Sequence, residues 1–574
     1  MSWQDVVQLL FFLILLFLFS HALSAYLFKV YKNEKVFLSP IFGPIENFIY
    51  KIASIDKDEQ HSWSQYTLQL ILFGFVTCLI TFFLLFFQGS LPFNPQNMKD
   101  LSFDLSLNTA ISFLTNTNWQ AYNGESSLSY FSQMVALTPQ NFLSAAVGLS
   151  AIFAIIRGLT QEKKEGLGNF YKDLTRSVLY ILLPICFVLA LFYISQGVIQ
   201  NLSPYLSLTS LDGVKQTIPQ GPVASQVAIK MLGTNGAGFF GANSAHPFEN
   251  PTAFVNFIQI FSAILIPSSL VFLFGRAANH FKHALSIWIV MILLLLIGLL
   301  SLIYVGHIGN ELFLQKLNLS SSFNMEGNGF RFGHFSSALF TNITTTLSLG
   351  ATNLAHSSLL PLGLLVTFLN MMLNEVIFGG VGCGLYGMIL HVILAIFLAG
   401  LMVGRTPEYF GKKIETNEII LTLFPLIGVA TGILVFTALA CMIPTAIASL
   451  GNPGAHGFSE FLYAYTSTTQ NNGSALGSLN VNTPYFNYTT SFTMLIGRYL
   501  NLIPVLAIAG YMAKKKIRTE GENSFPIHGG LFIILLIGVI IIFGALTYFP
   551  ALALGPISEH LQFIGGKIFS LGGQ

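Results

Sequence analysis

Long apolar runs alternate with short polar, glycine-rich stretches along the whole chain. Windows of about 20 apolar residues suffice to cross the hydrocarbon core of a bilayer as helices. They fall near residues 6–30, 66–88, 140–157, 176–197, 254–275, 284–305, 364–402, 418–443, 487–513 and 528–549. Four of the gaps between windows have a different character. Each holds a moderately apolar segment of helical length, such as Leu105 to Leu114 or Val223 to Leu232, and then a polar loop. The loops are Thr115 to Gln120, the stretch near 233–241, Ser348 to Asn353, and Gln470 to Ser474. Irregular backbone at membrane depth is tolerated only where it lines a watery or ion-filled cavity, so these stretches read as pore loops.

The unit recurs. Counted between Asn116, Asn235, Gly350 and Asn472, the offsets are 119, 115 and 122 residues, a nearly fixed period that marks a fourfold internal repeat. The pattern predicts an all-α polytopic membrane protein of about ten transmembrane helices. Its four span, pore-loop, span repeats cover 60–160, 172–278, 284–405 and 416–514, with one extra helix in 1–30 and another, with a tail, in 526–574.

Composition agrees: 53% of the residues are hydrophobic and 9% charged, with a mean hydropathy of +0.68, values foreign to soluble proteins. A net charge of +2 without a basic tail gives no sign of nucleic-acid binding. The basic residues sit at span ends instead. Lys29, Lys32, Lys35, Lys51 and Lys57 follow the first window. Arg157, Lys163, Lys164, Lys172 and Arg176 join the first two repeats, Arg276 and Lys282 the next two, and Arg405, Lys412 and Lys413 precede the last. Lys514, Lys515, Lys516 and Arg518 precede the final window. With ten spans all of these lie on one side, which the charge bias makes cytoplasmic, so the pore loops open from the outer face. The first run lacks a basic leader and a small-residue cleavage motif, and is expected to stay as an anchor. Cys78, Cys186, Cys383 and Cys441 stand singly, and the histidines are scattered, without metal-ligand spacing.

A desolvated cation needs oxygen in place of its hydration shell, and backbone carbonyls supply it without a trapping counter-charge. Gly236, Gly350 and Gly473 give the backbone the freedom to turn those carbonyls inward. In the first loop either Thr117 or Asn118 takes the corresponding place. Thr115, Asn116, Thr234, Asn235, Ser348, Asn471 and Asn472 can hydrogen-bond around them and hold their spacing. No ring of Asp or Glu accompanies the loops, which favours a monovalent cation, potassium first, bound at this filter only. Two charges stand inside apolar windows, Glu375 and Arg498. They are either buried structural pairs or parts of an ion path in which Arg498 opposes back-leak and Glu375 assists passage. After Glu375 come Gly379, Gly380, Gly382, Gly384 and Gly387, which either break the helix into a loop below the filter or let small residues pack closely.

With those residues in view, the chain resembles the KdpA family, the potassium-binding subunits of Kdp potassium-transporting ATPases. The resemblance rests on Thr115 to Gln120, Ala242-Asn243-Ser244-Ala245-His246-Pro247-Phe248-Glu249-Asn250-Pro251, Gly404 to Lys413, and Asn471-Asn472-Gly473-Ser474-Ala475. It implies a fold of the potassium-channel-like superfamily. It implies as partners a P-type ATPase catalytic subunit, a single-span accessory subunit and a small one-helix peptide, within the lipid of a bacterial plasma membrane. Gln120, Gly236, Gly350, Gly473, Glu375 and Arg498 carry over as filter or pathway residues. Leu349 departs from the pattern, standing where a small residue is expected. No phosphorylation motif or phosphate-binding loop is present, so this chain is expected to need no cofactor and ATP is used by the partner. The alternative reading is a stand-alone channel or ion-coupled transporter of the Trk and Ktr type.

Overall fold

A computed structural model of the protein describes residues 2–317, 331–373, 376–517 and 525–565. Glu375 lies outside the described residues, as does Arg518. Among the described residues, ten helices are long and apolar enough to cross a membrane, and the chain is a multi-pass membrane protein. An N-terminal helix, Trp3–Tyr31, and a C-terminal one, Gly530–Ile564, flank four repeats. The first spans of the repeats are Trp63–Phe86, Phe170–Ser195, Phe281–Leu317 and Thr416–Met442. The second spans are Ser132–Thr160, Ala253–Ala277, the pair Pro361–Met372 and Cys383–Met402, and Pro484–Lys514. Between them stand the pore helices Phe103–Leu114, Val223–Leu232, Gly333–Thr346 and Gly454–Thr469.

Burial separates two layers. In every repeat the second span is more enclosed than the first, 83% against 33% of the most apolar window in repeat one and 61% against 44% in repeat four. Only 17% and 22% of the corresponding windows of the terminal helices are buried, so these lie on the periphery. The second spans and pore helices therefore form the centre. Local chemistry fixes the ends of several of these helices. Ser62 closes a reciprocal capping box with Gln65 at the start of repeat one, Ser102 and Thr483 cap the first pore helix and the last repeat's second span, and prolines open Pro361–Met372 and Pro484–Lys514 where no N–H is needed.

Three features depart from a reading of hydropathy alone. The apolar window 364–402 is two helices, interrupted after Met372 and resumed at Cys383. A helix without a counterpart in the hydropathy reading, Ser39–Ile52, follows the N-terminal span. The all-helical expectation omits two small antiparallel hairpins, Leu206–Thr209 with Lys215–Ile218 and Glu408–Tyr409 with Lys412–Lys413.

Candidate ion-selective pore

The four pore helices end in the same way, and that ending carries each chain segment into one of the four polar loops. In each, an N–H just past the helix bonds a carbonyl four residues back: Thr115 to Ile111, Gly233 to Ile229, Leu347 to Ile343 and Gln470 to Thr466. The next residue turns left-handed, with φ of 63° at Asn116, 51° at Thr234, 50° at Ser348 and 52° at Asn471. The residue after that reaches five residues back: Thr117 to Ser112, Asn235 to Lys230, Leu349 to Thr344 and Asn472 to Ser467. This is the Schellman ending of a helix, which normally favours Gly or Asn at the left-handed position. Thr234 and Ser348 hold that conformation at a cost that such sites retain when the surroundings enforce it. The C-terminal ends of four helices, with their partial negative charge, thereby run into one set of loops.

These shared bonds settle the register. Asn118, Gly236, Gly350 and Gly473 are equivalent, so Asn118, with φ of 54°, holds the glycine position that the sequence left between Thr117 and Asn118. The offsets first counted mixed three different positions of the motif. In true register, Asn118, Gly236, Gly350 and Gly473 are spaced by 118, 114 and 123 residues.

Each loop touches the next. A β-carbon on Gly236 would lie 2.1 Å from the Gly350 nitrogen, one on Gly350 2.9 Å from the Asn472 oxygen, and one on Gly473 2.0 Å from the Thr117 oxygen. Side chains join loops one and two, three and four, and four and one. Asn116 donates to the Thr234 carbonyl at 3.0 Å and accepts from Asn235 at 2.6 Å. Ser348 donates to the Gln470 carbonyl at 3.1 Å, and Asn471 donates to the Thr117 hydroxyl at 2.9 Å. The order one, two, three, four and back to one closes a ring. Gly236 and Gly473 also require a left-handed backbone, at φ of 105° and 97°. Gly350 has no such φ and is needed only for the close approach. Leu349 takes the place of Thr117, Asn235 and Asn472, is fully buried, and packs in the main apolar core where those three make hydrogen bonds.

Three groups support the ring, and of their residues only Gln120 was among the expected site residues. Behind the first two loops, Ser144 donates to Asn116 Oδ1 at 2.7 Å and Asn141 accepts from Asn118 at 2.7 Å. Alongside the ring, Gln120 and Gly238 exchange hydrogen bonds of 2.9 and 3.0 Å, while Asn243 donates to the Gly236 carbonyl at 2.7 Å. That carbonyl keeps a second lone pair. The third group is a wholly buried ion pair: Lys230 Nζ of the second pore helix lies 2.6 Å from Glu249 Oε2 and 2.9 Å from Ser244 Oγ. Glu249 Oε1 also accepts the Phe240 N–H at 2.9 Å. The pair ties the loop that follows the second pore helix back to that helix. A lysine in a pore helix was the available signal, because a charge at that depth is retained when paired.

Beneath the ring, the helix interruption packs upward. Its backbone turns left-handed at Phe378, Gly379 and Gly382, with φ of 62°, 58° and 89°, and the Val381 N–H donates to Thr234 Oγ1. A β-carbon on Gly148 would meet the Val381 oxygen at 2.1 Å, so the loop also abuts repeat one. Gly380 belongs to this irregular stretch, but Gly384 and Gly387 do not. Both already stand in the resumed helix, and Gly384 is required there because a β-carbon would strike the Phe378 carbonyl. Arg498 is buried and donates to the Ser144 carbonyl at 3.1 Å. It lines a small chamber with Thr115, Asn116, Ser348 and Asn471 of the filter loops and Cys383 and Tyr386 of the resumed helix. Among the described residues, Arg498 forms no ion pair, and no cluster of His, Cys, Asp and Glu suited to a metal is present.

Residues 10–561 match the family described as Potassium-transporting ATPase A subunit. The chain is similar to a potassium-transporting ATPase potassium-binding subunit of Nitratidesulfovibrio vulgaris (strain DP4), 51% identical over 569 residues that span 99% of this chain and 100% of that protein. A protein of the same description from Pseudomonas aeruginosa is 49% identical over 562 residues, spanning 98% and 100%. Among solved structures, the potassium transporter TrkH from Vibrio parahaemolyticus superposes with a TM-score of 0.49 at 15% identity, covering 88% of this chain and 98% of that one.

Proposed function

The chain belongs to the family of potassium-transporting ATPase A subunits, and on that premise we propose that it is the potassium-binding, ion-selecting subunit of an ATP-driven potassium uptake system. The observation that carries the reading is the closed ring of four loops, three seams of which leave no room for a β-carbon on a glycine and the fourth of which is joined by Asn116 and Asn235. Carbonyls of Thr115 to Asn118, Thr234 to Gly236, Ser348 to Gly350 and Asn471 to Gly473 replace the hydration shell of K+, and the four helix ends add favourable potential. The stitching of Asn116, Asn235, Asn471 and Ser144 resists collapse of the ring around a smaller ion.

Below the filter, the irregular stretch 376–382 obstructs straight descent and Arg498 repels a cation that would continue. Potassium leaves sideways, towards a P-type ATPase partner that hydrolyses ATP. A single-span accessory subunit and a small one-helix peptide complete the complex. The filter opens to the outer face of a bacterial plasma membrane, because the basic span ends gather on the opposite face. The full-length similarity to proteins named as ATPase subunits favours this reading over a stand-alone Trk- or Ktr-type transporter.

Purification of the tagged chain from its native membrane, followed by an assay of potassium-stimulated ATP hydrolysis, tests the proposal. The expected result is a co-purifying ATPase whose stimulation by potassium weakens when Gly236 is changed to Asp. A chain that conducts potassium by itself, with no ATPase attached, would overturn it.

A further inference from the structure

The face that carries the basic span ends holds a large cavity on the side away from the filter. Its wall takes Lys32 from the end of the N-terminal helix, Lys57 from the following loop, and Arg157, Lys164, Lys172 and Arg276 from the ends and linkers of repeats one and two. Against these six cations stand two carboxylates, Glu165 and Asp173. Asp173 is engaged by Arg157 through two bonds of 2.6 and 2.7 Å. Glu165 is 87% exposed and lies 3.9 Å from Lys514. Four of the five remaining cations meet neutral partners: Arg276 bonds Ser24 and His21, Lys172 the Lys57 carbonyl, Lys57 the Asn47 amide oxygen, and Lys32 lies 4.5 Å from the centre of the Phe28 ring. Four positive charges are left over in one concavity.

A second observation fixes its depth. The helix Ser39–Ile52 and its leading residue Phe37 expose Phe37, Ile41, Ile45, Phe48 and Ile52, spaced by three or four residues and so on a single stripe. The opposite face is anchored to the protein by Glu46, which accepts from Arg176 at 3.1 Å and from Tyr180 at 2.6 Å. A short helix with an apolar stripe, next to basic residues and at the end of a span, lies in the plane of the membrane interface. Asn47 of this helix bonds Lys57 of the cavity wall, which puts the cavity at the level of lipid headgroups.

We propose that this cavity binds the phosphate-bearing headgroup of an anionic phospholipid, with the Ser39–Ile52 helix seated in the same leaflet. Arg276 and the lysines donate charge-assisted hydrogen bonds to the phosphate oxygens, and Phe28 and Tyr31 in the same wall give the amphipathic lining usual at that depth. The lipid clamps the N-terminal helix to repeats one and two, independently of the filter.

Native mass spectrometry of the assembled complex, released from nanodiscs containing phosphatidylglycerol, reads the occupancy. The variant Lys32→Gln/Lys164→Gln/Lys172→Gln should retain about fivefold less bound phosphatidylglycerol than the parent, as expected for losing about 1 kcal/mol of affinity. Lys215→Gln, on the hairpin of the second repeat, should retain as much as the parent. Should the triple variant fail to assemble, Lys164→Gln alone, at an exposed loop position, should lower retention in the same direction. Equal retention in parent and cavity variants overturns the proposal. So does displacement of the lipid by millimolar inorganic phosphate, which would mark a site for a free anion.

Discussion

The Val381 N–H donates to the Thr234 hydroxyl at 2.9 Å, joining the interrupted span of repeat three to the second filter loop. Thr234 is also the residue held left-handed at the end of its pore helix. One side chain thus touches both the ring of four loops and the irregular stretch of repeat three.

Shortening that loop tests its role. Deletion of residues 379–382 removes the irregular stretch while leaving Gly384 and Gly387 in their helix. In liposomes carrying the assembled complex with an inactivated ATPase subunit, the deletion should raise passive potassium flux well above the parent. A milder change, Thr234→Val, strands the buried Val381 N–H at a cost of about 1–3 kcal/mol and should raise the leak less. Parent-level flux from a properly assembled deletion would place the barrier elsewhere.

The three filter glycines should not be equally sensitive. Gly236 and Gly473 combine left-handed φ with approaches of 2.1 and 2.0 Å to the neighbouring loop. Gly350 has the ordinary hand and a looser approach of 2.9 Å. Gly236→Ala and Gly473→Ala should each raise the potassium concentration for half-maximal ATPase stimulation by about tenfold or more, a loss of at least about 1.4 kcal/mol, and Gly350→Ala by less. The ordering is the test, and an equal effect at all three would contradict the geometry.

Lys230 and Glu249 should behave as a pair. Either Lys230→Met or Glu249→Gln alone leaves a buried group uncompensated and should destabilise the protein by about 3–5 kcal/mol. The double substitution should recover much of that loss, because the amide oxygen can still accept the Phe240 N–H. Thermal unfolding in detergent of the four proteins completes the cycle, and additive losses would show that the two residues act separately.

The isolated chain should bind potassium without touching ATP, since it carries neither a phosphorylation motif nor a phosphate-binding loop. Incubation with radiolabelled ATP should leave no covalent phosphate on it, while equilibrium dialysis with potassium or rubidium should show saturable binding. A labelled phosphoenzyme on this chain would reverse the division of labour.

Hydropathy by itself determined the number and order of the spans and the four polar loops between them. Each of these follows from the local free energy of placing a short segment in lipid or water, which a window of sequence reports. The tertiary structure alone decided the register among the loops. Asn118 stands where three repeats have glycine, a match that neither residue identity nor an approximate period reveals, because it is set by backbone contacts between segments more than a hundred residues apart. Gly384 shows the limit from the other side. By composition it belongs with the glycines of the break, yet it sits in a helix whose close packing against the Phe378 carbonyl excludes a β-carbon. Lys230 and Glu249 were both visible as charges, but only the folded chain brings them within 2.6 Å, since pairing across a turn of the outer loop depends on where the loop is carried by the spans on either side.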